Sequence, residues 1–428
     1  MIRKKGPVTF IHSMLCLLVC FSMFIQPAKA GSFDISAYFK TYSMIYDEAD
    51  AYAFPGSLNR IMGVVNNRLR TSINISPADR LSFQIAHDFS PRIMDTQFLN
   101  RSFSGMDVMS DTYRAIDIDN QLYPRLESEI ASFRLYQNLD RLNMELNTDL
   151  ADIYIGRQAI AWGSARAVNP TDIIAPFSYD DLDVEDRVGV DAVRVRVPIG
   201  FMGEIDMGHV FGDDFHIRNS ATFLRARFYE WRTDISPISI AFQKNMLIGI
   251  DLSRSIGGAG TWLEAAHVVV NAFDSEQRSS DDDYFRLSIG LDYGLRNGSY
   301  LFAEYHYNGA GTDTPEQYLT QAMNPAYADG AVYLLGQHYF IPGMSYNVTP
   351  LITAIGETLI NLTDPSLYIA PKLEYSVSED TYLSVGAFIG VGESVQGPAN
   401  QPFSTIAIPK SEFGLYPDIY YVSVRVYL

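Results

Sequence analysis

The stretch "YFRLSIGLDYG", residues 284 to 294, alternates with a period of two: Phe285, Leu287, Ile289, Leu291 and Tyr293 share one face, and Arg286, Ser288, Gly290 and Asp292 share the other. Successive side chains of a strand point to opposite sides, so this is a strand with one apolar and one polar surface. A second run, "TYLSVGAFIG" (381–390), brings Leu383, Val385, Ala387 and Ile389 together in the same way. An apolar exterior around a polar interior is the pattern of a β-barrel standing in lipid.

Extending this reading along the chain predicts strands near 33–43, 60–75, 79–89, 126–137, 150–161, 188–198, 202–211, 220–231, 235–243, 246–255, 260–271, 283–294, 299–309, 331–341, 345–360, 366–377, 381–391 and 419–428. These are eighteen, with 16 to 20 as the range, because 138–149 can hide a further strand. The long connections 44–58, 90–125, 162–187, 272–282, 310–330 and 392–418 all fall on odd-numbered gaps, whereas most even-numbered gaps are tight turns. An even count with long loops on one side is what a closed barrel with both termini in the periplasm requires. The final "YYVSVRVYL" keeps Tyr420, Val422, Val424, Val426 and Leu428 in phase and resembles the C-terminal insertion signal of outer-membrane barrels. A soluble β-sandwich or propeller explains none of these regularities. The predicted fold is therefore all-β: a single transmembrane antiparallel barrel with long extracellular loops, short periplasmic turns and no plug domain.

The ends and the composition agree. Arg3, Lys4 and Lys5, an apolar stretch from Val8 to about Ile25, and Ala28-Lys29-Ala30 read as a cleaved signal peptide, which assigns 1–30 to the leader and 31–428 to the barrel. Both cysteines, Cys16 and Cys20, lie in that leader. Removing its four basic residues moves the net charge from −18 to −22, which argues against nucleic acid as a partner. No apolar run beyond residue 30 reaches membrane-helix length. The 27 Tyr and 25 Phe suit the aromatic girdles of a membrane barrel.

At 16 to 18 strands, side chains cannot fill the bore. The polar phase should then line a pore: Arg194, Arg196, Arg225, Arg227, Arg286, Lys372 and Arg425 as cations, and Glu204, Asp206, Asp292, Glu304 and Glu374 as anions. A hairpin centred near Gly200 would set Arg196 opposite Glu204 and Arg194 opposite Asp206. Arg225 and Arg227 remain as a candidate ladder for anions.

In "YIGRQAIAWGSARAVNPTDIIAPF" (154–177) a strand becomes a loop. Trp162 and Gly163 are expected where the strand leaves the membrane, and Pro170 stops further pairing because it has no N–H. Arg157 shares the lipid-facing phase of Ile153 and Ile155, so either it reaches the headgroups or a bulge near Gly156 turns it inward. The inward reading makes the run an anchor for a loop that narrows the pore, with Arg157 or Arg166 paired to carboxylates among Asp180, Asp181, Asp183, Glu185 and Asp186. "GRQAIAWGSAR" (156–166) with the following "NPTD" (169–172), and "INLTDPSLYIAPKLEYSVSEDTYLSVGAFIG" (360–390), resemble segments of porin-like outer-membrane barrels, including the alginate-export type and related uncharacterised families. The resemblance implies a porin-like architecture, and its alginate-export side implies export of an acidic polysaccharide as an alternative function.

The six histidines of the mature chain are scattered, and no Gly-x-Ser-x-Gly or His-Glu-x-x-His occurs, so no catalytic residue, metal site or cofactor is expected. The acidic runs "YDDLDVEDR" and "SSDDDY" lack the ligand spacing of a calcium loop. The functional expectation is an outer-membrane channel for small hydrophilic, possibly anionic, solutes. Its expected partners are lipid and lipopolysaccharide, the barrel-assembly machinery and the solutes, with a homo-oligomer of the chain left open. A structural or adhesive barrel, or a barrel enzyme, is the remaining alternative.

Overall fold

A computed structural model describes residues 31–48, 61–96, 113–125, 130–177, 181–396 and 408–428. Residues 1–30, the expected leader, and Asp180 lie outside the described residues. Eighteen strands form the wall: β1 (Ser32–Asp47), β2 (Ile61–Ala78), β3 (Leu81–Met94), β4 (Phe133–Asn147), β5 (Asp152–Gln158), β6 (Val190–Ile199), β7 (Gly203–Val210), β8 (Ala221–Glu230) and β9 (Thr233–Phe242) make the first half. β10 (Asn245–Ile256), β11 (Ala259–Val269), β12 (Tyr284–Gly294), β13 (Tyr300–Asn308), β14 (His338–Thr349), β15 (Ile352–Asn361), β16 (Ser366–Ser378), β17 (Thr381–Val391) and β18 (Asp418–Tyr427) make the second. Each strand pairs antiparallel with its neighbour, and β18 closes on β1 from Tyr38↔Tyr427 to Asp47↔Asp418. Closure leaves no edge for another chain to pair with.

The predicted phase holds where it was clearest. On β12, Phe285, Ile289, Leu291 and Tyr293 are exposed while Arg286 and Ser288 are buried inside. Leu383 and Val385 of β17 and Tyr420 and Val422 of β18 are likewise outside. Boundaries move most in two places, and the first, third and fifth strands end three to five residues from their expected ends. The fourth strand is Phe133–Asn147 rather than 126–137, so the ambiguous 138–149 is mostly its continuation. Strands fourteen and fifteen run His338–Thr349 and Ile352–Asn361, not 331–341 and 345–360, because 331–337 belongs to the preceding loop.

Two local departures shape the interior. On β4, Ala86 pairs with Arg141 and His87 with Leu139, so Asp140 is an extra residue. This bulge turns Asp140 and Arg141 both inward, where both are buried. β5 is only seven residues long. The rim it vacates is filled by residues 113–123: Gln121–Tyr123 pairs with β4, and the Arg114 Nε donates to Gly189 O at 3.1 Å.

The interior is not uniformly polar. Towards the long-loop end, the inner faces of β6–β11 offer Ala192, Phe223, Ile238, Ile240, Leu247, Ala266 and Val268, and loop residues Ile160, Trp162, Ile173 and Ile174 pack against them. A second cluster joins Leu334 and Phe413 from two other loops to Tyr339, Ile341, Leu359, Tyr368 and Phe388 on the wall. Burying a large apolar side chain contributes roughly 1.5–3 kcal/mol. Chain therefore occupies much of this end of the bore.

Candidate functional site

The site is the connection between β5 and β6, described over residues 159–177 and 181–189. It leaves the wall after Gln158, two residues beyond Gly156, whose φ of +114° is open to glycine but strained for other residues, and where a Cβ would meet Leu142 O at 2.2 Å. Arg157 pins the notch: its Nε and Nη2 reach Asp191 at 2.8 and 3.0 Å, its Nη1 reaches Asp117 and Leu139 O at 2.8 Å, and its Nη2 reaches Ile116 O at 2.7 Å. The arginine thus ties β4, β6 and the filling segment together. Among the described residues its ion-pair partners are Asp117 and Asp191, and not the expected acids of 181–186. Trp162 is also not at the membrane edge; it lies buried in the lumen, edge-on to Phe223, with Nε1 donating to Asp206 at 3.3 Å.

A buried loop must find partners for its backbone N–H groups. Two wall carboxylates supply them. Glu304 accepts from the backbone N–H of Arg166 (2.7 Å), Ala167 (3.4 Å) and Val168 (3.0 Å), and from Trp262 Nε1 (3.0 Å). Glu264 accepts from the Thr171 N–H (2.8 Å) and hydroxyl (2.6 Å), from Asn169 Nδ2 (3.0 Å) and from the Ala165 N–H (3.3 Å). Both glutamates are fully buried. Glu304 is therefore a holder of the loop and not a pore-lining anion. Arg166 Nη2 donates to Asp292 at 2.7 Å, and Ser288 donates to Val168 O at 2.6 Å while meeting His306 Nδ1 at 2.8 Å. Ser288 is occupied in fastening the loop.

The far end of the loop is held by charge. Asp183 lies 2.7 Å from Lys40 Nζ and 3.0 Å from Arg68 Nη1; Glu185 lies 2.7 Å from Lys40 and accepts from the Tyr427 hydroxyl at 2.7 Å; Asp186 accepts from the Tyr38 hydroxyl at 2.5 Å. Burial pushes the Asp183 carboxyl up, but Lys40 and Arg68 outweigh it and hold the group below the usual carboxylate range. The wall itself carries Asp88 and Asp140, which pair with Arg68 and Arg70. Asp181 is half-buried in the same run. The loop thus crosses the lumen from β12 and β13 to β1 and β2.

Beside the loop is a cavity of about 350 Å³, lined by Arg166, Asp172, Arg187, Arg286, His306 and Glu357 among others. Arg187 pairs with Asp172 at 2.8 Å; burial pushes the Asp172 carboxyl up to about 6, against the pull of that guanidinium. Arg286 differs. It is 3 % exposed, its Nε and Nη1 have no hydrogen-bond partner, and no ion pair to it occurs among the described residues.

The other predicted lining residues fall into pairs. Arg194–Asp206 (2.6 Å) and Arg196–Glu204 (2.5 Å) form as expected, but on a diagonal, because the hairpin centres on Phe201 and sets Arg196 opposite Asp206. Arg425 and Lys372 both approach Glu374. Arg225 donates to Ser236 at 2.9 Å, Arg227 is exposed, and neither is in an ion pair among the described residues. Lys40, Arg68, Arg70 and Glu264 escaped the sequence reading. Lys40 sits between Tyr38 and Tyr42 in the inward phase of β1, and that phase is the signal that would have found it.

With this geometry in hand, comparisons place the fold. No family model matches the sequence, and no curated protein does. Solved structures do match. Over 93% of this chain and 98% of the other, the fold is similar to OccK9 (OpdG) of Pseudomonas aeruginosa, with a TM-score of 0.58 at 10% identity. OccAB4 of Acinetobacter baumannii matches over 94% and 98% with a TM-score of 0.53 at 8% identity. OpdK of P. aeruginosa with vanillate matches over 92% and 98% with a TM-score of 0.51 at 9% identity. The likeness is one of fold, a porin-type barrel over nearly its whole length. It lends no support to the narrower alginate-export resemblance.

Proposed function

We propose that the protein is an outer-membrane channel for small anionic solutes and that loop 159–189 is its constriction. The observation that carries this reading is Arg286 on the wall of a cavity beside the loop, a buried guanidinium whose Nε and Nη1 have no hydrogen-bond partner and which is in no ion pair among the described residues. Burying an unpaired charge is costly, and a fold that retains one has a use for it when a ligand supplies the counter-charge. Arg166 and Arg187 line the same cavity, so an entering carboxylate meets a cationic rim even though both are shared with Asp292 and Asp172. Arg225 and Arg227 extend the supply of unpaired cations along the wall, which suits steering of anions through a low-dielectric passage. The fold neighbour OpdK holds vanillate, an aromatic carboxylate of the size class such a cavity would accept.

The test is block of single-channel current by vanillate in a planar bilayer, for the unmodified protein and for Arg286→Gln. A charged hydrogen bond contributes roughly 1.5–3 kcal/mol, so the substitution weakens block about 10- to 100-fold. Equal block of both proteins would remove Arg286 from the solute path.

A further inference from the structure

The acids at the far end of the loop stand in an arrangement that a free ligand could imitate. Lys40 is fully buried, and its ion-pair partners among the described residues are Asp183 and Glu185, both from the loop. Arg68 and Arg70 have wall partners in Asp88 and Asp140, yet they turn further N–H groups towards Asp183 and Asp186. Two tyrosine hydroxyls, from Tyr38 and Tyr427, complete a set of donors that converge on three carboxylates. The wall alone, counting Lys40, Arg68, Arg70 and Arg141 against Asp88 and Asp140, is net positive by two. Its balance comes from a strap, residues 181–187, whose Arg187 pairs with Asp172 and donates to Ala175 O within the loop, whose Arg187 carbonyl accepts from Arg141 of the wall at 2.6 Å, and whose Leu182 packs against the second apolar cluster.

We propose that this wall is a binding site for a small oxyanion bearing two or more negative charges, and that Asp183, Glu185 and Asp186 are its tethered occupant. The proposal deepens the channel reading and rests on it for its physiological sense. A covalently attached ligand acts at a high effective concentration, so it excludes weak competitors without any separate latch. A monocarboxylate replaces only one of three contacts and leaves the strap seated. A dicarboxylate, tricarboxylate or pyrophosphate replaces two or three at once and can lift it. The solute that passes would then open its own path, and the charge number of the solute would set the selectivity.

The mature chain lacks cysteine, so Val184→Cys, at an exposed position between the acids, offers a unique thiol for a nitroxide spin label. The labelled protein, refolded in detergent, is titrated with citrate and, at matched ionic strength, with acetate. The expected result is that citrate narrows the electron paramagnetic resonance line as the strap is released, while acetate does not. Adding Asp183→Asn lowers the half-effective citrate concentration about tenfold or more, because the competing state is less populated. In a Val184→Cys variant that also carries Asp183→Asn, Glu185→Gln and Asp186→Asn, the label is mobile without citrate. A label that citrate leaves unchanged, or that acetate releases equally, overturns the proposal. This readout needs no current through the barrel, so a folded protein that fails to conduct would sink the channel reading and still leave the strap tested.

Discussion

The two inner walls that hold loop 159–189 do so by different physics. Against β6–β11 the loop buries Ile160, Trp162, Ile173 and Ile174 on an apolar surface, with its backbone tied to Glu264 and Glu304. Against β1 and β2 it offers mainly acids to cations and hydroxyls, with Leu182 packed on the apolar cluster that holds Met44 and Met62. Apolar burial is non-directional and insensitive to ligands, whereas an ion pair can be exchanged for another ion of the same sign. One end is therefore an anchor and the other a contact that can be competed away.

Several substitutions break or sharpen this contrast. Trp162→Ala should have the largest effect, a loss of about 3–5 kcal/mol seen as a lower unfolding midpoint in denaturant, because it empties the centre of the apolar seat. A loss below 1 kcal/mol would mean the anchor lies elsewhere.

A third attachment is governed by protons. Glu412 accepts from the Tyr339 hydroxyl (2.5 Å), Asn361 Nδ2 (2.8 Å) and the Leu335 N–H (2.8 Å), joining its loop to that of Leu335 and to β14 and β15 near the buried Asp364. Burial pushes its carboxyl up to about 7, Asp364 adding to the rise. A carboxyl raised in the fold contributes stability that is complete below its unfolded value near 4.5 and is lost as pH rises through 7. The loss amounts to about 3 kcal/mol. The melting temperature of the unmodified protein should fall between about pH 5 and about pH 8, and that of Glu412→Gln should fall less, because Asp172, also raised, still titrates in the variant. Parallel profiles would refute the assignment.

Glu304→Gln keeps the shape of the anchor but replaces an ionised acceptor with a neutral one, at a cost of about 2 kcal/mol in the same denaturant assay. Asp183→Asn should cost least, about 1 kcal/mol or less, because Glu185 still answers Lys40. Its effect on conductance should exceed its effect on stability. The reverse order, with Asp183→Asn the more damaging to stability, would erase the distinction between anchor and contact.

How far this was legible follows from the same residues. Period-two phase and the side on which loops lie fixed the barrel, since lipid outside and loop entropy at one end act on every strand alike. β9 shows the limit: Ile238, Ile240 and Phe242 face inward and Pro237 and Ser239 outward, so its more apolar phase faces the lumen. Only the folded-in loop makes sense of that inversion. Glu264 and Glu304 have the phase of pore-lining acids, and nothing local distinguishes an acid that meets water from one that meets a backbone. The bulge at Asp140 shifts the phase of β4 by one residue, a tertiary choice that alternation alone does not encode. Arg157 was seen to be out of place, but its partners, Asp117 and Asp191, come from segments that the spacing of the motif does not reach.

The measurement that bears most directly on the whole account is the reversal potential of single channels in a planar bilayer under a potassium chloride gradient. Discrete conductance steps with a preference for chloride are predicted, from a constriction bordered by Arg286 and a wall carrying Arg225 and Arg227. A protein that shows the heat-dependent gel shift of a folded barrel yet carries no current, or one that prefers potassium, would contradict it.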